Sequence, residues 1–404
     1  MTTLIKGIRN SLLIMVCYLV KFASLLIPKN NKLILLGSMS GKYYGDNSSH
    51  LFEWVVNHRP EVEATWATNN KSDFKRLKNN GFNVVFIRSI SGVLALLRAK
   101  VACFTNSLQD FAFSMHAVPS NLKVIYLTHD IAPKKSRHSR EGHKLSPEQI
   151  KRSKIERKLV NDYISTSDFI TKCRAEALDV EIDKFTITGL PRNDALLDKN
   201  RKSNSLRIEL GNPKAIVLYA PTWRSGRNST TLFPFEDFSK QKLIELLNEH
   251  DISLVVRCHK NDLKYEDVQK KIRWLSEGNN RIFDGTHGMF SDANLLLSET
   301  DVLVTDYSGI YHDFLLIDKP LIFIPYDYEE FNKMNGFYYD YFEMAPGHIV
   351  TSFSLFTNAI SSISNGSDQY RQKRLTLRNM IHTYQDTYSS KRVYDLLIRQ
   401  YINI

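Results

Sequence analysis

The chain of 404 residues contains only four cysteines, and no two of them have the Cys-x-x-Cys spacing. That spacing is typical of structural zinc sites, and a high density of cysteines is typical of small secreted proteins held by disulfides. The four residues are Cys17, Cys103, Cys173 and Cys258. Their scatter argues against both classes and indicates a protein of a reducing compartment.

The sequence also lacks a long, uninterrupted hydrophobic run. Its most apolar stretch, residues 11–27, carries Lys21 in its middle, whereas a spanning helix needs about 20 predominantly apolar residues. No small-residue cleavage site follows, so a signal peptide fits poorly. We expect residues 1–30 to form an amphipathic helix in the membrane interface, with Lys6 and Arg9 toward lipid head groups. A helix packed on the protein's own core and a true membrane anchor are the alternatives.

Acidic residues are outnumbered by basic ones: the chain has 43 Asp and Glu and 54 Lys and Arg, which gives a net charge of +11. Such an excess calls for an anionic partner, which is nucleic acid, a membrane surface or a phosphorylated substrate. Residues 133–158 hold ten Lys or Arg against three Glu. A solvated helical face is the usual explanation, but together with the N-terminal helix an anionic bilayer is the better candidate. No recognised nucleic-acid-binding motif is present, so we predict no nucleic-acid partner.

Short apolar runs alternate with helical segments along most of the chain, which predicts an α/β protein with mainly parallel, doubly wound sheets. The chain is too long for one core and fits two domains. We predict an N-terminal Rossmann-like domain over residues 31–198, a linker over 199–213, a C-terminal Rossmann-like domain over 214–368, and helices over 369–404 that pack back across the domains. Parallel sheets bind ligands at the carboxyl ends of their strands, so candidate functional residues are expected there.

Three predicted strands of the first half end in polar residues. These are Asp46 and Asn47 in a glycine-rich loop, His129 and Asp130 after the strand at 124–128, and Arg192 after the strand around 185–188. An imidazole at a strand end beside a carboxylate can act as a general base, although a lone histidine is more often structural. Arg192 could bind a phosphate or pair with Asp194, and the sequence does not choose between them.

Four predicted strands of the second half end in cationic, hydroxylic or acidic residues. These are Pro221, Thr222 and Arg224; Arg257 and His259; Ser308, Gly309 and Asp313; and Asp327. The stretch around Ser308 joins a buried strand directly to a helix, so backbone N–H groups, the hydroxyl and the helix dipole suit a phosphate. Ser308 could instead simply cap that helix. Four such ends in one half indicate a phosphate-bearing substrate.

These residues resemble the CDP-glycerol glycerophosphotransferases of teichoic acid and capsule synthesis, a family that includes the related ribitol-phosphate enzymes. The most specific parts are Ala220-Pro221-Thr222-Trp223-Arg224, Arg257-x-His259, and Val304-Thr305-Asp306-Tyr307-Ser308-Gly309 with Asp313. The resemblance implies a glycosyltransferase-B type fold, in which two domains face each other across a cleft and the C-terminal domain holds most of the donor. It also implies the donor-binding positions, which are Arg192, Pro221, Thr222, Arg257, His259, Ser308, Gly309 and Asp313.

The chain departs from the family's pattern at two places. Thr128-His129-Asp130 stands where the family has Trp-His-Gly, and Gly309 replaces the second serine of Asp-Tyr-Ser-Ser. The pair Lys134 and Lys135 keeps its offset from the histidine, while Pro133 sits one position later. We assign Lys134 and Lys135, together with Asp46 and Asn47, to the acceptor side.

The resemblance implies that glycerol phosphate, or another polyol phosphate, moves from a CDP-polyol to a hydroxyl of a membrane-lipid-linked acceptor and that CMP is released. His129 would accept the hydroxyl proton with Asp130 orienting it, while Arg257 and the second catalytic histidine, His259, would stabilise phosphate charge.

No Asp/Glu cluster suggests a metal cage, so we predict no tightly bound cofactor and at most a loosely bound Mg²⁺. Such a protein would lie on the cytoplasmic face of the bacterial membrane, in an oligomeric state that the sequence does not disclose. The alternatives are a CDP-ribitol ribitolphosphotransferase, a nucleotide-sugar glycosyltransferase of the same fold, and a non-catalytic membrane scaffold.

Overall fold

A computed structural model describes residues 2–131, 134–140, 145–198, 205–224, 230–286 and 293–402 of the chain. Pro133 and Lys144 of the basic stretch and residues 199–204 of the predicted linker lie outside the described residues.

The chain forms two compact units, each built around its own sheet. Unit one comprises Met1–Asp130, His143–Asp194 and Asp386–Ile404, and unit two comprises Ile131–Gly142 and Ala195–Gln385. All described strand pairs in both sheets are parallel. The prediction of two parallel-sheet α/β domains is confirmed.

The sheet of unit one has seven strands in the order β3-β2-β1-β4-β5-β6-β7. They are β1 (Asn30–Leu36), β2 (Glu63–Thr68), β3 (Val84–Phe86), β4 (Ala99–Phe104), β5 (Lys123–Tyr126), β6 (Asp162–Ser165) and β7 (Phe185–Ile187). Ile34, Leu35 and Leu36 in central strand β1 are fully buried. A strand covered on both faces is apolar throughout, which is why its sequence reads as a continuous run.

The sheet of unit two has six strands in the order β10-β9-β8-β11-β12-β13. They are β8 (Ala215–Tyr219), β9 (Ile252–Val256), β10 (Ile282–Asp284), β11 (Val302–Thr305), β12 (Leu321–Phe323) and β13 (His348–Ile349). Val217, Leu254 and Val304 lie in its hydrophobic core. Strand β13 was not predicted, because two residues are too few to show a pattern.

Helices surround both sheets. In chain order they are α1 (Thr2–Leu26), α2 (Asp46–His58), α3 (Lys71–Asn79), α4 (Ile90–Arg98), α5 (Pro147–Leu159), α6 (Asp168–Leu178), α7 (Pro191–Leu197), α8 (Ser205–Glu209), α9 (Lys240–Glu249), α10 (Glu266–Ser276), α11 (Ala293–Glu299), α12 (Ile310–Phe314), α13 (Tyr328–Asn335), α14 (Tyr341–Met344), α15 (Phe353–Ser364), α16 (Arg371–Ile381) and α17 (Ser389–Gln400).

Helix α17 returns to unit one and docks by its first turn. The carboxylate of Asp194 accepts hydrogen bonds from the backbone N–H groups of Ser389 (2.8 Å) and Ser390 (2.7 Å), which lie at the otherwise unsatisfied start of the helix. Farther along, the ring of Tyr394 lies 5.4 Å from that of Trp54 in α2. The last helix of the chain is thus a structural part of the first unit.

Over residues 11–26, helix α1 packs on the rest of unit one through one face. Cys17 and Val20 are buried against Leu97 and Ala117, and the opposite face is solvent-exposed. None of the helices in the described ranges combines the length and the apolar character that crossing a membrane requires.

Candidate functional site

The carboxyl ends of four neighbouring strands in unit two carry the predicted donor residues. In sheet order, β9 leads to Arg257 and His259, β8 to Pro221 and Thr222, β11 to Ser308, Gly309 and Asp313, and β12 to Asp327. Because all four strands are parallel, their carboxyl ends lie along the same edge of the sheet. The structure therefore brings the predicted donor residues of this unit to one edge.

Buried Asp306 joins the loops that follow β8 and β11. Its carboxylate accepts hydrogen bonds from the backbone N–H groups of Thr222 (2.8 Å) and Tyr307 (2.6 Å). The hydroxyl of Thr305 adds a 2.7 Å hydrogen bond to the carbonyl of Ala220. These contacts fix the position of Thr222 relative to Ser308.

Arg224 of the Pro-Thr-Trp-Arg motif is buried beneath this edge. Its side chain is 5% exposed, and its Nη2 donates to Asp306 (2.8 Å) and to Asp327 (2.8 Å). Burial alone would lower its pKa, but the two carboxylates outweigh burial and raise the pKa above its ordinary value. Arg224 therefore remains a cation, and its charge is neutralised by the carboxylates of Asp306 and Asp327. Its role is to hold the loops of the site in place.

His259 is exposed and stacks on Trp223, with ring centroids 5.7 Å apart. Its Nδ1 accepts a hydrogen bond from the backbone N–H of Asn261 (3.1 Å). A neutral imidazole that accepts at Nδ1 carries its proton on Nε2, so His259 can donate a hydrogen bond from Nε2. Its neighbour Arg257 donates from Nη1 to the carbonyl of Gly285 (3.0 Å), at the end of β10.

Ser308 is half-buried, and its Oγ accepts from the backbone N–H of Ile310 at 3.4 Å. The helix that follows has only five residues, with a single 3-10 turn after it. The contact expected if Ser308 caps the helix is thus present. The dipole of so short a helix is small. Asp313, on the same helix, is buried.

The second group of functional residues lies in unit one, at His129. Asp46, the first residue of α2, contacts His129 Nδ1 through Oδ2. The Nη1 of Arg192 donates to Asp46 Oδ1 (2.9 Å) and to the carbonyl of His129 (2.9 Å). One carboxylate therefore pairs with an imidazole and a guanidinium together.

Electrostatics in this group favour a charged carboxylate and a basic imidazole. Burial of Asp46 would raise its pKa, but the charges of His129 and Arg192 outweigh burial and hold that pKa well below its ordinary range. In return, Asp46 raises the pKa of His129. A histidine that donates from Nδ1 to a carboxylate presents Nε2 as a proton acceptor, which is the arrangement of a general base.

Asn47 is fully buried and holds the histidine loop in position. Its Nδ2 donates to the carbonyls of Leu127 (3.0 Å) and Thr128 (2.9 Å), and its Oδ1 accepts from the backbone N–H of Arg192 (3.1 Å). Asn47 thus positions the two residues that contact the carboxylate of Asp46, which are His129 and Arg192.

The structure adds contacts to three sequence-based assignments. The carboxylate against Nδ1 of His129 belongs to Asp46, whereas sequence reasoning gave the orienting role to Asp130. Arg192, which the resemblance grouped with the donor residues, forms an ion pair with Asp46, and the carboxylate of Asp194 accepts from backbone N–H groups of α17. Of the predicted acceptor-side residues, Asp46 and Asn47 belong to unit one, and Lys134 and Lys135 belong to unit two.

The buried network of Asp306, Arg224 and Asp327 was not predicted as a unit. Its signal in the sequence is that carboxylates follow two strand ends while an arginine follows a third. Within the described part of the chain, no three His, Cys, Asp or Glu side chains are grouped as metal ligands.

Comparisons with known proteins give matches over most of the chain. A family model described as "CDP-Glycerol:Poly(glycerophosphate) glycerophosphotransferase" matches residues 19–399. A teichoic acid glycerol-phosphate transferase of Staphylococcus aureus is 27% identical over 390 residues, which cover 90% of this chain and 92% of that protein. A teichoic acid poly(glycerol phosphate) polymerase of Bacillus spizizenii is 28% identical, over 84% of this chain and 86% of that protein.

A solved structure shares the fold. It is a variant of the wall teichoic acid polymerase TagF soaked with CDPG for 15 minutes, and it superimposes with a TM-score of 0.74 at 20% identity. The match covers 92% of this chain and 89% of that one.

Proposed function

The chain belongs to the CDP-glycerol:poly(glycerophosphate) glycerophosphotransferase family, and from that premise we propose that it transfers glycerol phosphate, or another polyol phosphate, from a CDP-polyol in teichoic acid synthesis. The acceptor is a hydroxyl of a membrane-lipid-linked chain. Its oxygen attacks the polyol-side phosphorus, the bond from that phosphorus to the bridging oxygen breaks, and CMP leaves. The relatives in S. aureus and B. spizizenii, which match over most of their own lengths, support this assignment.

The observation that carries the proposal is the contact between Asp46 and His129. With Asp46 at Nδ1, the lone pair of Nε2 takes the proton of the acceptor hydroxyl as the oxygen attacks. The resulting imidazolium is stabilised by the adjacent carboxylate, which stays ionised. Arg192 keeps that carboxylate charged and in place.

On the donor side, Arg257, His259 and the Ser308–Gly309 turn are assigned to the diphosphate, with Pro221, Thr222 and Asp313 as further donor contacts. Phosphoryl transfer depends mainly on positioning and on neutralising phosphate charge. A cation at Arg257, a donor N–H on His259 Nε2 and the Ser308 hydroxyl are the groups this requires. Catalysis by a base in unit one on a donor in unit two requires a glycosyltransferase-B arrangement with facing sheets, and that arrangement is part of the proposal.

The proposal includes a peripheral position on the cytoplasmic face of the membrane. Leu12, Met15, Leu19, Phe22 and Leu26 follow one another at helical spacing on α1 and are 53–71% exposed. An exposed apolar stripe on an interfacial helix binds the boundary between head groups and acyl chains. It would bring the protein to a lipid-linked acceptor.

The experiment that tests the function supplies purified protein and a lipid-linked acceptor with CDP-glycerol, CDP-ribitol or a UDP-sugar, and measures CMP and UDP release. We expect CMP release from a CDP-polyol and lower turnover, by about 10²–10⁴-fold, in His129→Ala. CDP-ribitol as the better donor would identify the ribitol enzyme. UDP release, or normal turnover by His129→Ala, would contradict the mechanism. Turnover that is lost in EDTA and restored by added Mg²⁺ would indicate the loosely bound ion, and turnover that persists in EDTA would indicate that no metal takes part.

A further inference from the structure

Residues 134–140, here called the basic turn, read Lys-Lys-Ser-Arg-His-Ser-Arg and contain no acidic residue. They follow His129 closely in sequence but belong to unit two. Lys134 forms an antiparallel bridge with Phe337, and the backbone N–H of Lys135 donates to the carbonyl of Gly336 at 3.0 Å. The turn is therefore attached to the unit that carries the predicted donor residues.

The basic turn has a fixed conformation. The backbone N–H of Ser136 donates to the hydroxyl of Ser139 (2.9 Å), and the N–H of Ser139 donates to the carbonyl of Ser136 (3.2 Å). Between them, Arg137 adopts a φ of 51°, a left-handed conformation that costs free energy in a non-glycine residue and persists only where surrounding contacts hold it. Arg140 anchors the end of the turn by donating from Nη2 to Asn335.

The structure separates the basic turn from the rest of the basic stretch at 133–158. Lys151, Lys154 and Lys158 of α5 are exposed and belong to unit one. Arg152 and Arg157 of the same helix are half-buried, and they pair with Glu156 and Asp179 of the same unit. Lys134, Lys135, Arg137 and Arg140 are half-buried. A solvated basic face explains the helix. It does not explain four half-buried cations that are held together in one fixed turn, and a run of Lys and Arg side chains of this kind is suited to binding a phosphate.

The basic turn is attached to the aromatic cluster that holds the Ser308 loop. The ring of Phe337 lies 6.0 Å from that of Tyr307 and 5.4 Å from that of Tyr341. Tyr341 in turn donates its hydroxyl to the carbonyl of Asp306 at 3.1 Å. One ring, that of Phe337, thus separates the backbone of Lys134 from the residue that precedes Ser308.

We propose that the basic turn binds the diphosphate of the CDP-polyol donor, which moves Lys134 and Lys135 from the acceptor side to the donor side. This inference rests on the proposed function. The shared chemistry is a phosphate bound by Lys and Arg side chains, and a phosphate-bearing acceptor offers the same group. The donor is favoured because the turn is fixed to the Tyr307–Ser308 loop.

The test measures the affinity for CDP-glycerol without acceptor, by titration calorimetry at several salt concentrations. The variants are Lys134→Gln with Lys135→Gln, Arg137→Gly, and the control Lys333→Gln, which removes a charge from an exposed position of α13 in the same unit. We expect affinity to fall by about tenfold or more in the first two proteins and to depend less on salt, because charge-assisted contacts to phosphate are lost. The control should bind as the wild type does.

The Arg137→Gly variant is also the control for misfolding. Glycine adopts a positive φ without strain, so this protein should melt no lower than the wild type while binding the donor more weakly.

Unchanged donor affinity in both the double-lysine variant and Arg137→Gly overturns the inference. If the KM for the acceptor rises in these proteins instead, Lys134 and Lys135 belong to the acceptor side. If the wild type itself binds neither CDP-glycerol nor CDP-ribitol, the proposed function fails as well.

Discussion

The carboxylate of Asp46 contacts Nδ1 of His129 across 83 positions of the chain. The imidazole is about half exposed, whereas the carboxylate is 8% exposed. The reactive ring therefore faces solvent while the group that orients it is protected, which is the division expected of a general base and its support.

Asp46→Asn should lower kcat by about 10²–10⁴-fold, because the amide neither fixes the tautomer nor stabilises the imidazolium. The base must be unprotonated, so activity is lost as pH falls through the pKa of His129. Asp46 raises that pKa. Its removal should therefore move the acidic limb of the pH–rate profile to lower pH, while the plateau falls.

The matched control for this prediction is Asp130→Asn, which alters the carboxylate next to His129 in sequence. It should shift the profile much less, since Nδ1 contacts Asp46. Equal effects of the two substitutions would assign the orienting role to both carboxylates and contradict this account.

Asp46 should also contribute to stability, with a defined pH dependence. Its folded-state pKa is depressed, so the stabilisation is present above the unfolded-state pKa and is lost as pH falls through the folded-state value. Asp46→Asn should thus reduce the free energy of unfolding by on the order of 2 kcal/mol at neutral pH and by less in acid. Denaturant titrations at neutral and at acidic pH measure the difference in unfolding free energy between the variant and the wild type.

Arg224→Ala should destabilise unit two strongly, because it leaves Asp306 buried without its cation. Removing one partner of a buried ion pair costs about 3–5 kcal/mol. Arg224→Lys should recover only part of this, since an ammonium cannot reproduce the two-sided contacts to Asp306 and Asp327. Thermal and denaturant unfolding measure both variants.

Arg371→Ala provides the control for Arg224. Its pair with Asp318 involves an arginine side chain that is 64% exposed, and surface pairs contribute about 0–1 kcal/mol. If Arg224→Ala lowers the free energy of unfolding no more than Arg371→Ala does, the network of Asp306, Arg224 and Asp327 is not what holds the loops.

The sequence was most informative where a strand is buried on both faces. The stretch that precedes Ser308 was predicted to contain a buried strand and is observed as β11 (Val302–Thr305), because a short run of apolar and small residues between polar ones is typical of a strand buried on both faces. From such strands, the carboxyl-end rule placed Thr222, Arg257 and Ser308 along one edge.

The pairing within unit one could not be predicted in the same way. Asp46 and Asn47 were predicted to lie in a glycine-rich loop, and the Asn and Ser residues that follow Asp46 are poor helix formers. Helix α2 nevertheless begins at Asp46, because the buried contacts of Asn47 compensate for this low helix propensity. Likewise, Asp130 adjoins His129 in sequence, but adjacency does not determine which carboxylate a ring meets. The partner of His129 depends on the crossing of α2 with the loop after β5, which is a tertiary contact.

Leu19→Ser with Phe22→Ser should weaken binding to anionic vesicles by about tenfold or more, since burying each of these side chains contributes about 1.5–3 kcal/mol. Both are about 60% exposed on α1 (59% and 63%), so the melting temperature should stay within about a degree of the wild type, as expected for surface positions. Vesicle sedimentation measures the bound fraction. Leu355→Ser, at a 47% exposed apolar position in unit two, is the control and should leave vesicle binding unchanged. If the α1 variant sediments with vesicles as the wild type does, the exposed stripe serves another purpose and the peripheral membrane assignment loses its physical basis.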